Sequence, residues 1–388
     1  MTPPARLAAA ADILDAIAGS KAAEQVLTTW ARQNRYAGSK DRAAIRDHVY
    51  DVIRQWRSLA ARGGGESGRA LTLGLLRASG EDPDAWFTGV GHAPHTLSDA
   101  ERATGRAPTA EEALDLPEWL LPMLRDSLGD ALGSVAAALA ARADLFLRWH
   151  AGRTDAARAI AALAEDGVVA EPHPMARTAL RVTEGARRVH LARAYRDGLV
   201  EIQDVASQAV AEALPVPPGV TVLDYCAGGG GKALALAARG ARVVAHDADP
   251  RRMADLAPRA ARAGTPVETL ATAEVPYRAP FELVVLDVPC SGSGAWRRQP
   301  DAKWRLTPER LAALTEIQTE ILNAASGYVT PGGHLAYITC SILPPENTGQ
   351  IDRFLAAQGK GFTPTLSRRF LPGDGGDGFF LCLMRANA

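Results

Sequence analysis

Two of the four cysteines stand directly behind apolar runs, and they are the side chains best placed to do chemistry. Cys290 lies in Leu283-Val-Val-Leu-Asp287-Val-Pro289-Cys290-Ser291-Gly292, and Cys340 in Leu335-Ala-Tyr-Ile-Thr-Cys340-Ser341-Ile-Leu-Pro344-Pro-Glu346-Asn347. A third run, Val220-Thr-Val-Leu-Asp224, leads into the glycine cluster Gly228 to Gly231. Each run reads as a buried strand, so three strands should deliver reactive or ligand-approaching groups to the carboxyl edge of one sheet. Free cysteine is most often a small buried hydrophobe. That description suits Cys382, inside Phe379-Phe-Leu-Cys382-Leu, and Cys226, whose backbone alone would face a ligand. It suits Cys290 and Cys340 poorly, because each follows a strand end in a loop turned by Pro289 or by Pro344-Pro345.

The segment Leu223-Asp224-Tyr-Cys226-Ala227-Gly228-Gly-Gly-Gly231-Lys232 predicts a strand, a glycine turn and a helix start, where backbone N–H groups can approach a ligand. A phosphate-binding P-loop needs Gly where Cys226 stands and Ser or Thr where Ala233 stands. A dinucleotide fingerprint is met only in part by the run of glycines, and Asp-Val-Pro-Cys does not normally follow it. S-adenosylmethionine remains, with its methionine part over the turn at Cys226, Ala227, Gly228, Gly229, Gly230, Gly231 and Lys232. Its ribose calls for a carboxylate at the end of the next strand, where Asp247 sits in Val243-Val-Ala-His-Asp247-Ala-Asp249. The competing view makes the glycines a flexible turn and Asp247 a helix cap before Pro250. An amino-group methyltransferase would carry an acid or Asn before Pro-Pro and an aromatic, so the Cys290 motif points to methylation at carbon.

These residues need a frame. At 388 residues the chain is long enough for about two or three domains of roughly 150 residues, and 47% hydrophobic residues supply a core. Four cysteines at these spacings form neither a disulfide framework nor a zinc site, which implies a reducing compartment and no metal. The alanine-rich start is interrupted by Asp12 and Asp15, and no apolar run reaches membrane-span length, so a soluble cytoplasmic protein is expected. Residues 1–140 show helical periodicity, 141–200 the strand and helix pattern of a small α+β module, and 201–388 alternating strands and helices. The fold class expected is α/β: a doubly wound Rossmann-like domain preceded by a small ferredoxin-like or RNA-recognition-like module and an all-helical domain.

Net charge is only −1, but the charges are uneven. Arginines crowd Trp30 to Arg62, and helical spacing would gather Arg35, Arg42, Arg46 and Arg57 on one face with Val49, Ile53 and Trp56 inward. A second basic run spans Arg177 to Arg196. Arg297, Arg298 and Lys303 stand among Trp296 and Trp304, a mixture suited to a flipped base and its flanking phosphates. A solvated face and core tryptophans are the plainer alternatives.

Taken together, Cys226 to Lys232, Asp287 to Gly294, Trp296-Arg-Arg-Gln-Pro300-Asp301-Ala-Lys303-Trp304, Thr339 to Asn347 and Leu371-Pro-Gly to Phe380 resemble the Sun/RsmB family of bacterial 16S ribosomal RNA cytosine-5 methyltransferases. The resemblance spans the catalytic half. It implies Cys340 as nucleophile, Asp287 at the ring nitrogen and the cofactor side, and Cys290 in elimination and product release. It also implies an antitermination-factor-like (NusB-like) RNA-binding fold for residues 1–140. The partner implied is RNA, 16S rRNA free or in an early small-subunit particle, bound by a monomer away from any membrane. Arg35, Arg42, Arg46, Arg297, Arg298 and Lys303 are the RNA contacts expected. The same chemistry on transfer RNA or another ribosomal RNA site, or an RNA-binding assembly factor without turnover, are the other readings. Two departures stand out. Gly229 replaces a proline in the usual Ala-Ala-Pro-Gly-Gly-Lys, and no acid occupies Ala273, where an adenine contact is expected; Glu274 follows it.

Overall fold

The computed structural model describes residues 1–18, 22–358 and 361–387. The chain forms two compact units: residues 1–142 with 296–306, and residues 143–295 with 307–388.

In the first unit the helix Ser39–Arg54 buries Ile45, Val49, Val52 and Ile53 on one stripe. It stops at Gln55, and a new helix starts at Trp56. Arg35 lies in the turn before this helix and Arg57 in the helix after it, so one helical period gathers only Arg42 and Arg46. Arg57 instead donates to the Leu116 carbonyl. Segment 296–306 joins this unit, against the expectation of an unbroken catalytic part from 201 to 388. The last carbonyls of a helix lack internal partners, and this segment supplies donors for them. Lys303 Nζ donates to the carbonyls of Arg54 at 2.8 Å and Asp115 at 2.6 Å. Trp304 Nε1 donates to Ile53 O at 2.7 Å.

The second unit carries two sheets. Strands β1 (Leu145–Trp149), β2 (Val169–Pro172), β3 (Ala179–Glu184) and β4 (Val200–Ile202) form an antiparallel sheet in the order β2-β3-β1-β4. Its helix Ala156–Glu165 begins at Asp155, whose carboxylate accepts from Arg158 N. Arg181 and Arg193 of the second basic run pair with Glu171 and Glu165, as a solvated face would. Glu201 of β4 accepts from Arg262 at 2.7 Å and pairs with Arg259 at 3.5 Å, which links this sheet to helix Leu256–Ala263.

The larger sheet contains β5 (Thr221–Asp224), β6 (Arg242–Ala245), β7 (Glu268–Thr269), β8 (Phe281–Asp287), β9 (Val329–Thr339), β10 (Phe362–Phe370) and β11 (Phe379–Ala386), ordered β10-β11-β9-β8-β5-β6-β7. Strands β5 to β9 are parallel, and β11 runs antiparallel to both its neighbours. Val222, Val243, Leu283, Val285, Ala336 and Ile338 pack into one core, and Leu223, Val244, Val284, Leu286, Leu335 and Tyr337 into another. Alternate residues of each strand thus face opposite layers, which is why the strands read as unbroken apolar runs. The fold is the expected doubly wound α/β arrangement. Strand order reverses between β5 and β8, and such a reversal opens a crevice at the carboxyl ends of the strands.

Behind β8 the chain is pinned at Gly294, whose N–H donates to Cys340 O at 3.0 Å and whose carbonyl accepts from Gly378 N at 2.8 Å. A Cβ on Gly294 would lie 2.0 Å from Gly378 O, so no other residue fits without moving the Cys290 loop. Gly294→Ala should therefore destabilise the protein by about 1–3 kcal/mol, as overpacking does, and depress activity beyond what that loss explains. Denaturant titration together with an activity assay at a temperature where the variant stays folded checks both effects.

Candidate active site

The strand ends place the expected residues along one edge. Asp224 closes β5, Asp287 closes β8, Cys340 directly follows β9, and Asp247 lies two residues past β6. The glycine turn is shaped by Gly228 and Gly230, at φ 49° and 80°, values that glycine adopts without a Cβ penalty. A Cβ on Gly230 would lie 2.1 Å from Leu256 Cδ1, and Arg259 donates to the Gly229 carbonyl. Gly231 then starts the helix Gly231–Ala237.

Asp247 is 4% exposed and accepts from the amides of Gly228 and Asp249, both at 3.0 Å, with Arg252 at 3.3 Å. It therefore fixes the glycine turn. The helix cap before Pro250 is Asp249, which accepts from Arg251 N. Lys232, 6% exposed, donates to Asp287 Oδ2 at 2.6 Å and lies 5.0 Å from the centre of the Phe379 ring. A residue expected at the cofactor thus holds the carboxylate expected at the substrate. Near the missing acid, Glu274 accepts from Ala271 N and caps its own short helix.

Asp224 is the residue that sequence reasoning passed over. It is 1% exposed, and among the described residues neither carboxylate oxygen has a hydrogen-bond partner. Burial pushes its pKa up to about 7, with Asp287 pushing the same way and Lys232 opposing. An acid closing the strand before a glycine turn was the available signal. An unpartnered buried carboxylate beside a turn of four glycines, of which Gly230 has no room for a Cβ, fits the ammonium and the close-lying chain of S-adenosylmethionine.

The two thiols meet. Cys290 Sγ lies 3.4 Å from Cys340 Sγ, and both residues are partly exposed. The hydrogen bond to the Cys340 sulfur, then burial, with the nearby Glu346 carboxylate adding to them, push the Cys290 thiol well above its ordinary value. Cys382 is 2% exposed in the core and its thiol is pushed up to about 11 by burial, while burial raises Cys226 as well. Neither belongs to the thiol pair.

The residues expected at RNA divide. Lys303 is 1% exposed, its ammonium is spent on two carbonyls, and burial pulls its pKa down to about 7. Trp296 and Arg297 are buried too. A lysine among tryptophans suits a phosphate and a pair of buried carbonyls equally well, and here the carbonyls have it. Arg35 and Arg42 are exposed. Arg46 and exposed Arg298 line one cavity of about 550 Å³ in the first unit, with Arg54, Arg142 and Arg305.

A glycine turn after the first strand, an acid after the second and a seven-stranded sheet with one antiparallel strand define an S-adenosylmethionine-dependent methyltransferase. The profile of the 16S rRNA methyltransferase RsmB/F family matches residues 211–385, and that of the RsmF/B-like ferredoxin-like domain matches 116–189. Ribosomal RNA small subunit methyltransferase B of Xanthomonas campestris is 34% identical over 297 residues, 71% of this chain and 68% of that protein. The Vibrio cholerae protein of the same name is 34% identical over 69% of this chain and 64% of its own length. The chain belongs to the RsmB/F methyltransferase family, and its cofactor is S-adenosylmethionine. Two crystal structures share the fold. PH0851 has a TM-score of 0.77 at 23% identity over 99% of both chains. NSun6 from Pyrococcus horikoshii with SFG has 0.62 at 15% identity over 70% of this chain and 98% of that one.

Between the ordinary carboxylate value and about 7, folded Asp224 keeps a proton that the unfolded chain has released. Its contribution to stability is therefore present at low pH and lost as pH rises through about 7. Asp224→Asn should gain on the parent by on the order of 2 kcal/mol between pH 5 and pH 8 in cofactor-free protein, and bind S-adenosylmethionine about tenfold more weakly. Thermal unfolding at both pH values and calorimetry read these; a stability difference independent of pH would place the proton elsewhere.

Proposed function

We propose that this protein methylates carbon 5 of a cytosine in RNA, with 16S rRNA as the substrate that its relatives' names support, through a covalent adduct on Cys340. The observation that carries the reading is the contact of two thiols, 3.4 Å apart, at the sheet edge that also holds Asp287. Carbon 5 of cytosine is too weak a nucleophile to take a methyl group unaided. Addition of a thiolate to carbon 6 makes the ring an enamine, and after methylation loss of the carbon-5 proton to a base with expulsion of the thiolate restores it. S-adenosylmethionine supplies the electrophilic methyl group when bound. Cys340 adds to carbon 6, and Asp287, held by Lys232, faces the ring nitrogen. The resemblance to the family gives Cys290, in contact with Cys340, the role in elimination and release rather than in attack.

Cys340→Ala should abolish methyl transfer while S-adenosylmethionine binding stays within about twofold, since Cys340 is no part of the glycine turn. Cys290→Ala should instead accumulate a protein–RNA adduct that survives denaturing electrophoresis. An adduct in Cys340→Ala would exchange the two roles.

RNA docking is assigned to the cavity shared by Arg46 and Arg298. Its five arginines outnumber Glu24, Asp47 and Asp301 among the lining residues. Arg46 pairs with Glu24 at the surface, and exposed pairs of this kind are weak enough for phosphates to compete with. Arg46→Gln with Arg298→Gln should lower the salt slope of RNA binding by about 0.7–0.9 for each phosphate that is no longer neutralised and leave cofactor affinity unchanged. Salt titration with RNA and calorimetry with cofactor decide it; an unaltered slope returns these arginines to a solvated surface.

A further inference from the structure

Glu346 follows the Cys340 motif and is fully buried, at 0% exposure. Oε1 accepts from Ser291 N at 2.7 Å and Gln318 Nε2 at 3.0 Å. Oε2 accepts from the hydroxyls of Ser291 and Ser341. Four donors match the lone-pair capacity of one carboxylate. Ser291 adjoins Cys290 and Ser341 adjoins Cys340, so one buried group holds the residue after each thiol.

The surroundings brace the same two loops. Gln318, also 0% exposed, donates to the Pro289 carbonyl just before Cys290. Tyr337 of β9 donates to the Glu346 carbonyl at 2.7 Å and to Gln318 Oε1 at 3.3 Å. Ser293 and Ser341 are hydrogen-bonded at 2.8 Å, and the Ser293 hydroxyl accepts from Ile342 N. Thr339 donates to Asn347 Oδ1, whose amide donates to the Ser341 carbonyl at 2.9 Å. A buried network with every member satisfied is rigid. The thiols themselves share only their one contact.

We propose that Glu346 is the positioning residue of the cysteine pair: its carboxylate ties the loop after β8 to the loop after β9 and so holds the two sulfurs in reach of a single base. This rests on the reading that both thiols act on one cytosine. Glu346 touches neither sulfur through a hydrogen bond, so it acts through Ser291 and Ser341. Its charge adds to the effects that keep Cys290 protonated.

The hydrogen-bond pattern separates position from charge. The partners of Oε1 can only donate, whereas the hydroxyls on Oε2 can turn and accept. Glu346→Gln can keep all four contacts by presenting its amide nitrogen to the hydroxyls. Glu346→Ala leaves a buried N–H and the Gln318 amide unpaired.

Phenylarsine oxide tests the spacing without reference to catalysis. It forms two As–S bonds with a close dithiol while its oxygen leaves with the two thiol protons as water. The parent protein should be captured through Cys290 and Cys340, and Cys290→Ser should not be. Glu346→Ala should weaken capture about tenfold or more and lower kcat about a hundredfold, with KM for S-adenosylmethionine unchanged. Glu346→Gln should stay within about threefold of the parent in both measurements. Should Glu346→Ala not fold, Ser291→Ala with Ser341→Ala cuts the two hydroxyl ties and should weaken capture in the same direction. Parent-like capture by a folded Glu346→Ala, or by the double variant in its place, overturns the proposal. A parent protein that captures the arsenical but transfers no methyl group to RNA overturns the functional reading and leaves the spacing result standing.

Discussion

The ion pair of Lys232 and Asp287 is the interaction on which the site depends. It joins the first turn of the helix behind the glycine loop to the end of β8. Asp224 and Asp247 are buried at this edge and Asp287 is partly exposed beside them, and Lys232 offsets the charge of Asp224 and Asp287. Without that ammonium, Asp224 would be driven further toward its protonated form, and Asp287 would lose the partner that fixes it. Lys232 itself is buried, so removing Asp287 would strand its ammonium away from water.

Much of the fold was legible because parallel strands buried on both faces leave long apolar runs. Leu283 to Asp287 and His334 to Thr339 could be read directly, and they are the carboxyl-terminal parts of strands that begin at Phe281 and Val329. The short β7 and the paired β10 were not legible. β7 has two residues, and β10 exposes most of its length, so neither has an apolar signature. At the site, the nucleophile candidates and the glycine turn declared themselves by residue type. Glu346 did not, since its donors come from positions 291, 318 and 341 and only folding gathers them.

Misreadings arose where one composition serves two environments. Lys303 beside Trp304 looks like a nucleic-acid contact, but nothing local announces that the helix Ser39–Arg54 ends against it with unpaired carbonyls. Arg35 was grouped with Arg42 by period alone, and the turn before Ser39 breaks that period. Periodicity reports a face only within one helix.

The antiparallel β11 lies between β9 and β10, although it follows both in the chain. Among the described residues β10 pairs with no other strand, so it has no place in the sheet until residues 379–386 exist. Gly378, which lies against Gly294 behind the Cys290 loop, is made just before that strand. On the ribosome, therefore, the glycine turn and β8 are made well before the Gly378 amide that pins Gly294 behind the Cys290 loop. Synthesis sets the glycine turn first and the packing behind the Cys290 loop last.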